Sequence, residues 1–115
     1  MKILVDADAC PVKEILVGIA RRRGIPVTML LDTSHVLDDG YSTVITVDKG
    51  RDSADIRLVN LIQPGDVVVT QDYGVAAMSL ARGAKALNQN GLVYSDKNMN
   101  RLLFERALGQ KIRRA

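Results

Sequence analysis

The sequence predicts one α/β domain over residues 1–115, a three-layer sandwich with a mainly parallel sheet, and three observations carry that expectation. Short apolar runs alternate with stretches of helical periodicity, the rhythm of strands joined by crossover helices. Two of the runs, Ile3-Leu4-Val5 and Val67-Val68-Val69, are apolar without interruption, as strands covered on both faces tend to be. The chain has 115 residues, 47% hydrophobic and 25% charged, which suits one domain with a real core and excludes a disordered or fibrous chain.

The elements follow in order. A strand at Ile3 to Val5 precedes a helix from Pro11, in which Val12, Ile15, Leu16, Ile19 and Ala20 form one apolar stripe that ends before Gly24. Strands are expected at Val27 to Leu31 and Val44 to Val47, joined by a polar link, Asp32 to Ser42, with no helical pattern. A second helix spans Asp52 to Ile62 and stops at Pro64-Gly65. After the strand at Val67 to Val69, Asp72 to Arg82 reads as a third helix, apolar almost all round and so expected to be well buried. Strands at Lys85 to Leu87 and Leu92 to Tyr94 flank a turn at Asn88 to Gly91, and a last helix runs from Asp96 to about Leu108. Its apolar stripe, Met99 with Leu102 and Leu103, suits the sheet or a second protomer equally, so a homodimer is one expectation.

Composition narrows the functions. Aromatics supply 3% of the chain and Trp is absent, which argues against nucleic-acid modules that stack bases on several rings. The net charge of +3 fits an anionic partner without requiring one. One cysteine, Cys10, excludes an internal disulfide and a multi-cysteine zinc site, and the single His35 excludes a histidine-rich one, so a metal would be held by oxygen. No signal peptide or membrane span is read, and the expected location is the cytoplasm, with no membrane partner.

The acids carry the functional signal. Asp6 and Asp8 end the first strand, Asp48 ends the third, and Asp72 follows the fourth. Ligands of open α/β sheets bind outside the carboxyl ends of the strands, which is where these residues fall. Asp52 and Asp55 open the second helix, and the row from Asp55 through Val59 and Ile62 places this acid on the sheet-facing side. Converging carboxylates repel and would protonate, whereas Mg²⁺ or Mn²⁺ would neutralise them and equip the site for displacement at phosphorus. Phosphodiester hydrolysis, with RNA or another nucleic acid as the partner, is the natural inference. Lys49, Arg51, Ser53 and Thr70 are the candidate substrate-binding residues, with Arg21 to Arg23 as further backbone contacts. Each acid also has a structural reading: Asp52-Ser53-Ala54-Asp55 resembles a capping-box start, and Asp72 suits an N-cap. Gly50 and Gly74 fit tight turns or close ligand approach.

The pieces VDADACPVKE, VDKGRDSAD and VVTQDYGVAA resemble the YaiI/YqxD family of small bacterial proteins, and the match spans nearly the whole chain. That family has no characterised function, and its fold is grouped with PIN-like nucleases. The resemblance implies a PIN-like domain with strand order 3-2-1-4-5, which sets Asp6 beside Asp72. It also implies a metal-dependent ribonuclease or nuclease with Asp6 as the strand-one acid, Asp52 or Asp55 as the helix acid and Asp72 as the strand-four acid, and Asp6, Asp55 and Asp72 are the candidate catalytic residues. Its metal ligands would be Asp6, Asp52, Asp55 and Asp72, with Asp8 as a further ligand or supporting group. Lys49-Gly50-x-Asp52 looks like the KGxD element of NYN-type relatives.

Three rivals compete. A phosphoacceptor receiver domain would use Asp6 with Asp8, Asp48, Thr70 and Lys85, and requires strand order 2-1-3-4-5 with Asp48 beside the first strand. A phosphatase with Asp6 as nucleophile and Asp8 as acid resembles the DxD motif of haloacid-dehalogenase enzymes, but no later acid pair follows a strand. A noncatalytic RNA-binding module would bind unchanged after Asp-to-Asn substitution. Cys10 is read as a small buried hydrophobe, and His35 either as an acid or base at the strand edge or as a loop hydrogen-bonding residue. The basic groups at Arg21 to Arg23 and Lys111 to Arg114 suit helix ends.

Overall fold

The computed structural model describes residues 1–7, 10–32, 39–47 and 54–114. Six strands form one sheet: β1 (Ile3–Asp6), β2 (Val27–Asp32), β3 (Thr43–Val47), β4 (Val67–Val69), β5 (Lys85–Leu87) and β6 (Val93–Tyr94). Their order is β3-β2-β1-β4-β5-β6, and every pairing is parallel except β5 with β6. The expected order of the first five strands is therefore present, extended by one short antiparallel edge strand. Four helices complete the domain: α1 (Lys13–Arg23), α2 (Ala54–Leu61), α3 (Tyr73–Ala81) and α4 (Asp96–Arg114).

The sheet separates two cores. On one face Val17 and Ala20 of α1 pack over Val5, Val27, Met29 and Leu31. On the other, Leu58 and Ile62, Val75 and Ala76, and Met99, from α2, α3 and α4 and the residue after α2, pack with Leu4, Leu30 and Val68. Alternation along β1 and β4 sends Leu4 and Val68 to the three-helix side and Val5 and Val69 to the α1 side. This is the three-layer arrangement the sequence predicts.

Three local expectations need correction. The first helix begins at Lys13 rather than Pro11: Pro11 and Val12 form a turn, and the Leu16 amide donates to the Val12 carbonyl at 3.1 Å. Its predicted stripe is also rolled, since Val17 and Ala20 are buried while Ile15 is 66% exposed. A single helix covers that face, so Ile15 and Ile19 border an open apolar groove over Ile3, Val67, Val69 and Leu87. The third helix buries one side through Val75, Ala76 and Ser79, and its outer side, with Met78 at 44% exposure, meets solvent. An alanine-rich helix hides its direction because Ala is neutral between the two environments. The last helix runs past the expected end near Leu108 to Arg114; Met99 is buried and Leu102 half-buried, whereas Leu103 is exposed. Of the polar link between β2 and β3, residues 33–38, His35 among them, lie outside the described residues.

The receiver reading fails on topology. Here β3 is an edge strand separated from β1 by β2, so Asp48, the residue after β3, does not follow a neighbour of β1 as that fold requires. Among the described residues no helix is long and apolar enough to cross a membrane.

Opposite the acids, at the N-terminal edge of the sheet, Asp66 ties three segments together. Its carboxylate accepts from the Lys2 amide at 3.1 Å, the Lys2 Nζ at 2.6 Å and the Gln63 amide at 2.9 Å. Burial works against its ionisation, but the Lys2 side chain and the two amides outweigh burial and hold the carboxyl below its ordinary value. Asp66 thus stabilises the fold above the unfolded carboxyl range, and that contribution disappears as pH falls through the lowered folded value. Asp66→Ala should lower stability by about 2–3 kcal/mol at neutral pH, because it leaves a Lys2 ammonium and two amides unpaired. The loss, measured by urea unfolding, should shrink in acid.

Candidate active site at the carboxyl edge of the sheet

The site grows from the pairing of β1 with β4. Ile3, Leu4 and Val5 lie opposite Val67, Val68 and Val69, so the next residues out are Asp6 and Thr70. Thr70 is 3% exposed and bonded on three sides: its amide donates to Leu87 O at 3.0 Å, its carbonyl accepts from Tyr94 Oη at 3.2 Å, and its hydroxyl accepts from the Asp72 amide at 3.0 Å. Thr70, a candidate substrate contact from the sequence, holds the turn that presents Asp72.

Asp72 is the N-cap of α3. Its Oδ1 accepts from the Val75 amide at 3.0 Å, and its carbonyl accepts from the Ala76 amide at 3.0 Å. The structural and functional readings of this residue are therefore compatible, because the cap uses one carboxylate oxygen and the side chain is on an exposed residue. Gly74 makes this possible: a Cβ there would stand 3.0 Å from Asp72 Oδ1, tighter than nine in ten real contacts.

Asp55, in the first turn of α2, faces α3 rather than the sheet: it shares a depression with Val59, Gly74, Val75 and Met78, whereas the row through Val59 and Ile62 pointed to the sheet-facing side. Burial raises its pKa first, the negative charge of Asp72 adds to the effect, and a side-chain hydrogen bond with Asp72 completes it. Burial and the neighbouring carboxylate thus both disfavour the charged form of Asp55.

Asp72 joins two depressions. One is an open cleft of about 670 Å³ lined by Asp6, Gln71, Asp72, Tyr73, Glu105 and Arg106, among others. The other, of about 370 Å³, holds Asp55 and Asp72 beside Ile56, Val59, Gly74 and Met78. Asp6, Asp55 and Asp72 therefore gather along one edge, whereas Asp8, Lys49, Arg51, Asp52 and Ser53 lie outside the described residues. Among the described residues no three His, Cys, Asp or Glu side chains form a group able to hold a metal ion. The carboxyls of Asp55 and Asp72, which face each other, are hard oxygen donors of the kind a divalent cation takes. Gln89 Oε1, buried beside Asp6, Cys10 and Gln71, is a further hard oxygen and has no hydrogen-bond partner among the described residues.

Arg106 and Tyr73 are the residues the sequence reading missed. The Arg106 guanidinium lies over the Tyr73 ring, 5.8 Å from its centroid, and Tyr73 meets the buried Tyr94 ring edge-on at 6.1 Å. Extending the Met99–Leu102 stripe by four residues reaches Arg106, which is the signal that could have found it.

Fold and site together define a three-layer α/β protein with a carboxylate-lined cleft at the carboxyl edge of its sheet. The chain belongs to the family described as "Uncharacterized BCR, YaiI/YqxD family", whose model matches residues 4–115. It is 73% identical over 115 residues to a UPF0178 protein of Ruminiclostridium cellulolyticum, covering 100% of this chain and 75% of that one. Similar proteins of the same printed name occur in Alkaliphilus oremlandii, 56% identical over 99% of this chain and 74% of the relative, and in Clostridium acetobutylicum, 52% identical over 100% and 78%. No solved structure matches the chain.

Two outcomes test this geometry. Gly74→Ala should push the Asp72 carboxylate from its cap and cost roughly 1 kcal/mol, read as a lower Tm, with Asp72→Ala giving a loss of similar size. Asp55→Asn should raise Tm by a few degrees in metal-free buffer at neutral pH, because it removes a carboxylate that burial and Asp72 both disfavour; the gain should vanish below the titration of Asp55.

Proposed function

We propose that this protein is a metal-dependent nuclease that hydrolyses phosphodiester bonds in RNA. The observation that carries the reading is the convergence of Asp6, Asp55 and Asp72 from three separate elements on one edge, with Asp55 and Asp72 bonded to each other. A capping role accounts for Asp72 alone; it does not account for a second carboxyl held against the cap, nor for a third lining the same cleft.

In this reading Asp6, Asp55 and Asp72 hold Mg²⁺ or Mn²⁺, with Asp8 and Asp52 as further ligands. When bound, the ion supplies Lewis acidity and charge neutralisation for displacement at phosphorus. The chain's own residues do the rest. Asp55 would present its carboxylate beside Asp72, and α3 holds Asp72 in place through the Val75 amide. Asp6, half-buried at the end of β1, would orient a water for in-line attack: the new O–P bond forms as the bond to the leaving oxygen breaks, and the proton the water loses passes to solvent, which returns one to the leaving oxygen. Lys49, Arg51 and Ser53, just before α2, are the proposed contacts to the strand backbone. The resemblance to PIN-like nucleases drawn from the sequence points to the same chemistry by analogy.

Labelled single-stranded RNA and DNA incubated with Mn²⁺, Mg²⁺ or EDTA provide the test. Cleavage should require the metal, favour RNA and fall by at least about 100-fold in Asp6→Asn and Asp72→Asn, with circular dichroism unchanged. It should also weaken toward acid pH as protons compete for Asp55. Cleavage that survives in the purified variants overturns the reading, and unchanged RNA binding without cleavage would identify a noncatalytic RNA-binding module instead.

A further inference from the structure

Arg106 is placed where a solvating arginine would not be. The face of α4 that enters the core carries Met99 and Leu102, and the same face continues through Arg106 and Gly109, at spacings of three, four and three. Both of these later residues line the cleft that holds Asp6 and Asp72. Among the described residues Arg106 forms no ion pair: the Glu105 carboxylate beside it turns instead to Arg101, at 3.8 Å. What positions Arg106 is aromatic. Its guanidinium carbon lies over the Tyr73 ring, 5.8 Å from the centroid, Tyr73 meets Tyr94 edge-on, and Tyr94 Oη is bonded to the Thr70 carbonyl, in the turn that presents Asp72. The arginine and the acid are thus referenced to one rigid point.

A guanidinium held by its face keeps its in-plane N–H donors free, and that planar fork matches a phosphate group. A cleft with acids on one wall repels a polyanion unless a cation on another wall offsets them.

We infer that Arg106, held by Tyr73, is a substrate-positioning residue that binds a phosphate of the nucleic-acid strand next to the one being cleaved. This rests on the nuclease reading above, and the test separates the two. Binding of labelled single-stranded RNA is followed by fluorescence anisotropy across a salt series in Mg²⁺, in an Asp72→Asn background so that the strand survives. Adding Arg106→Gln should weaken binding about tenfold and lower the slope of log affinity against log salt by about 0.7, the loss of one phosphate contact on a single strand. Arg106→Lys should restore the slope. In protein with Asp72 intact, Arg106→Gln should raise KM and leave kcat within about twofold. A merely structural arginine would not move the salt slope, and its exposure on α4 keeps the substitution from unfolding the protein. If the unsubstituted protein cleaves RNA while Arg106→Gln leaves slope and KM unchanged, the arginine assignment falls and the nuclease stands. Should the unsubstituted protein neither bind nor cleave, the nuclease reading falls and takes Arg106 with it.

Discussion

The parallel pairing of β1 with β4 is the constraint on which the rest of the molecule depends. Chain segments more than sixty residues apart meet there, Ile3 opposite Val67, and the sheet grows outward in both directions from that junction. Because the two strands run the same way, whatever follows each of them emerges at the same edge. Asp6 and the turn carrying Asp72 are neighbours for that reason, and no other adjacency in the sheet would make them so. Leu4 and Val68 on one face and Val5 and Val69 on the other, all buried, fix the register, and with it the relative height of the two acids.

The second theme is one group serving two ends. Asp72 caps α3 and stands at the meeting point of two depressions, and the same residue that ends the β4 turn begins the helix. Capping costs the carboxylate one oxygen and gives it a fixed direction, a form of preorganisation that a loop residue lacks. Asp55 lies on the opposite side of this balance: its carboxyl is destabilised by burial and by its neighbour, a tension the fold accepts locally.

Much of this was legible in the sequence, for identifiable reasons. Strand ends can be located from short apolar runs, so acids that follow them map to one edge; the helical row from Asp55 says that this acid turns inward, but not that it meets α3 instead of the sheet. Topology came less directly: the strand order followed from the family resemblance, since apolar runs say that strands exist and not which ones pair. The roll of α1 was hidden because Ile15 and Ile19 read as core until one sees that a single helix covers that face. Ala77 and Ala81 of α3 carry little directional information, so its outer side looked inward. Arg106 was missed for the converse reason: a charged residue ended the apolar stripe of α4, and the stripe was taken to stop where the cleft begins.

The Asp66 clamp and the acid edge stand at opposite ends of the same short strands. With β1 of four residues and β4 of three, they are separated by roughly 10–13 Å of extended chain. Changes that far apart, with no shared partners, combine nearly independently. An engineer could therefore harden the amino-terminal rim of the sheet, or graft it onto a tag or surface, and leave the chemistry of the far rim to be tuned on its own. The molecule behaves as a bench with a fixed foot and an adjustable top.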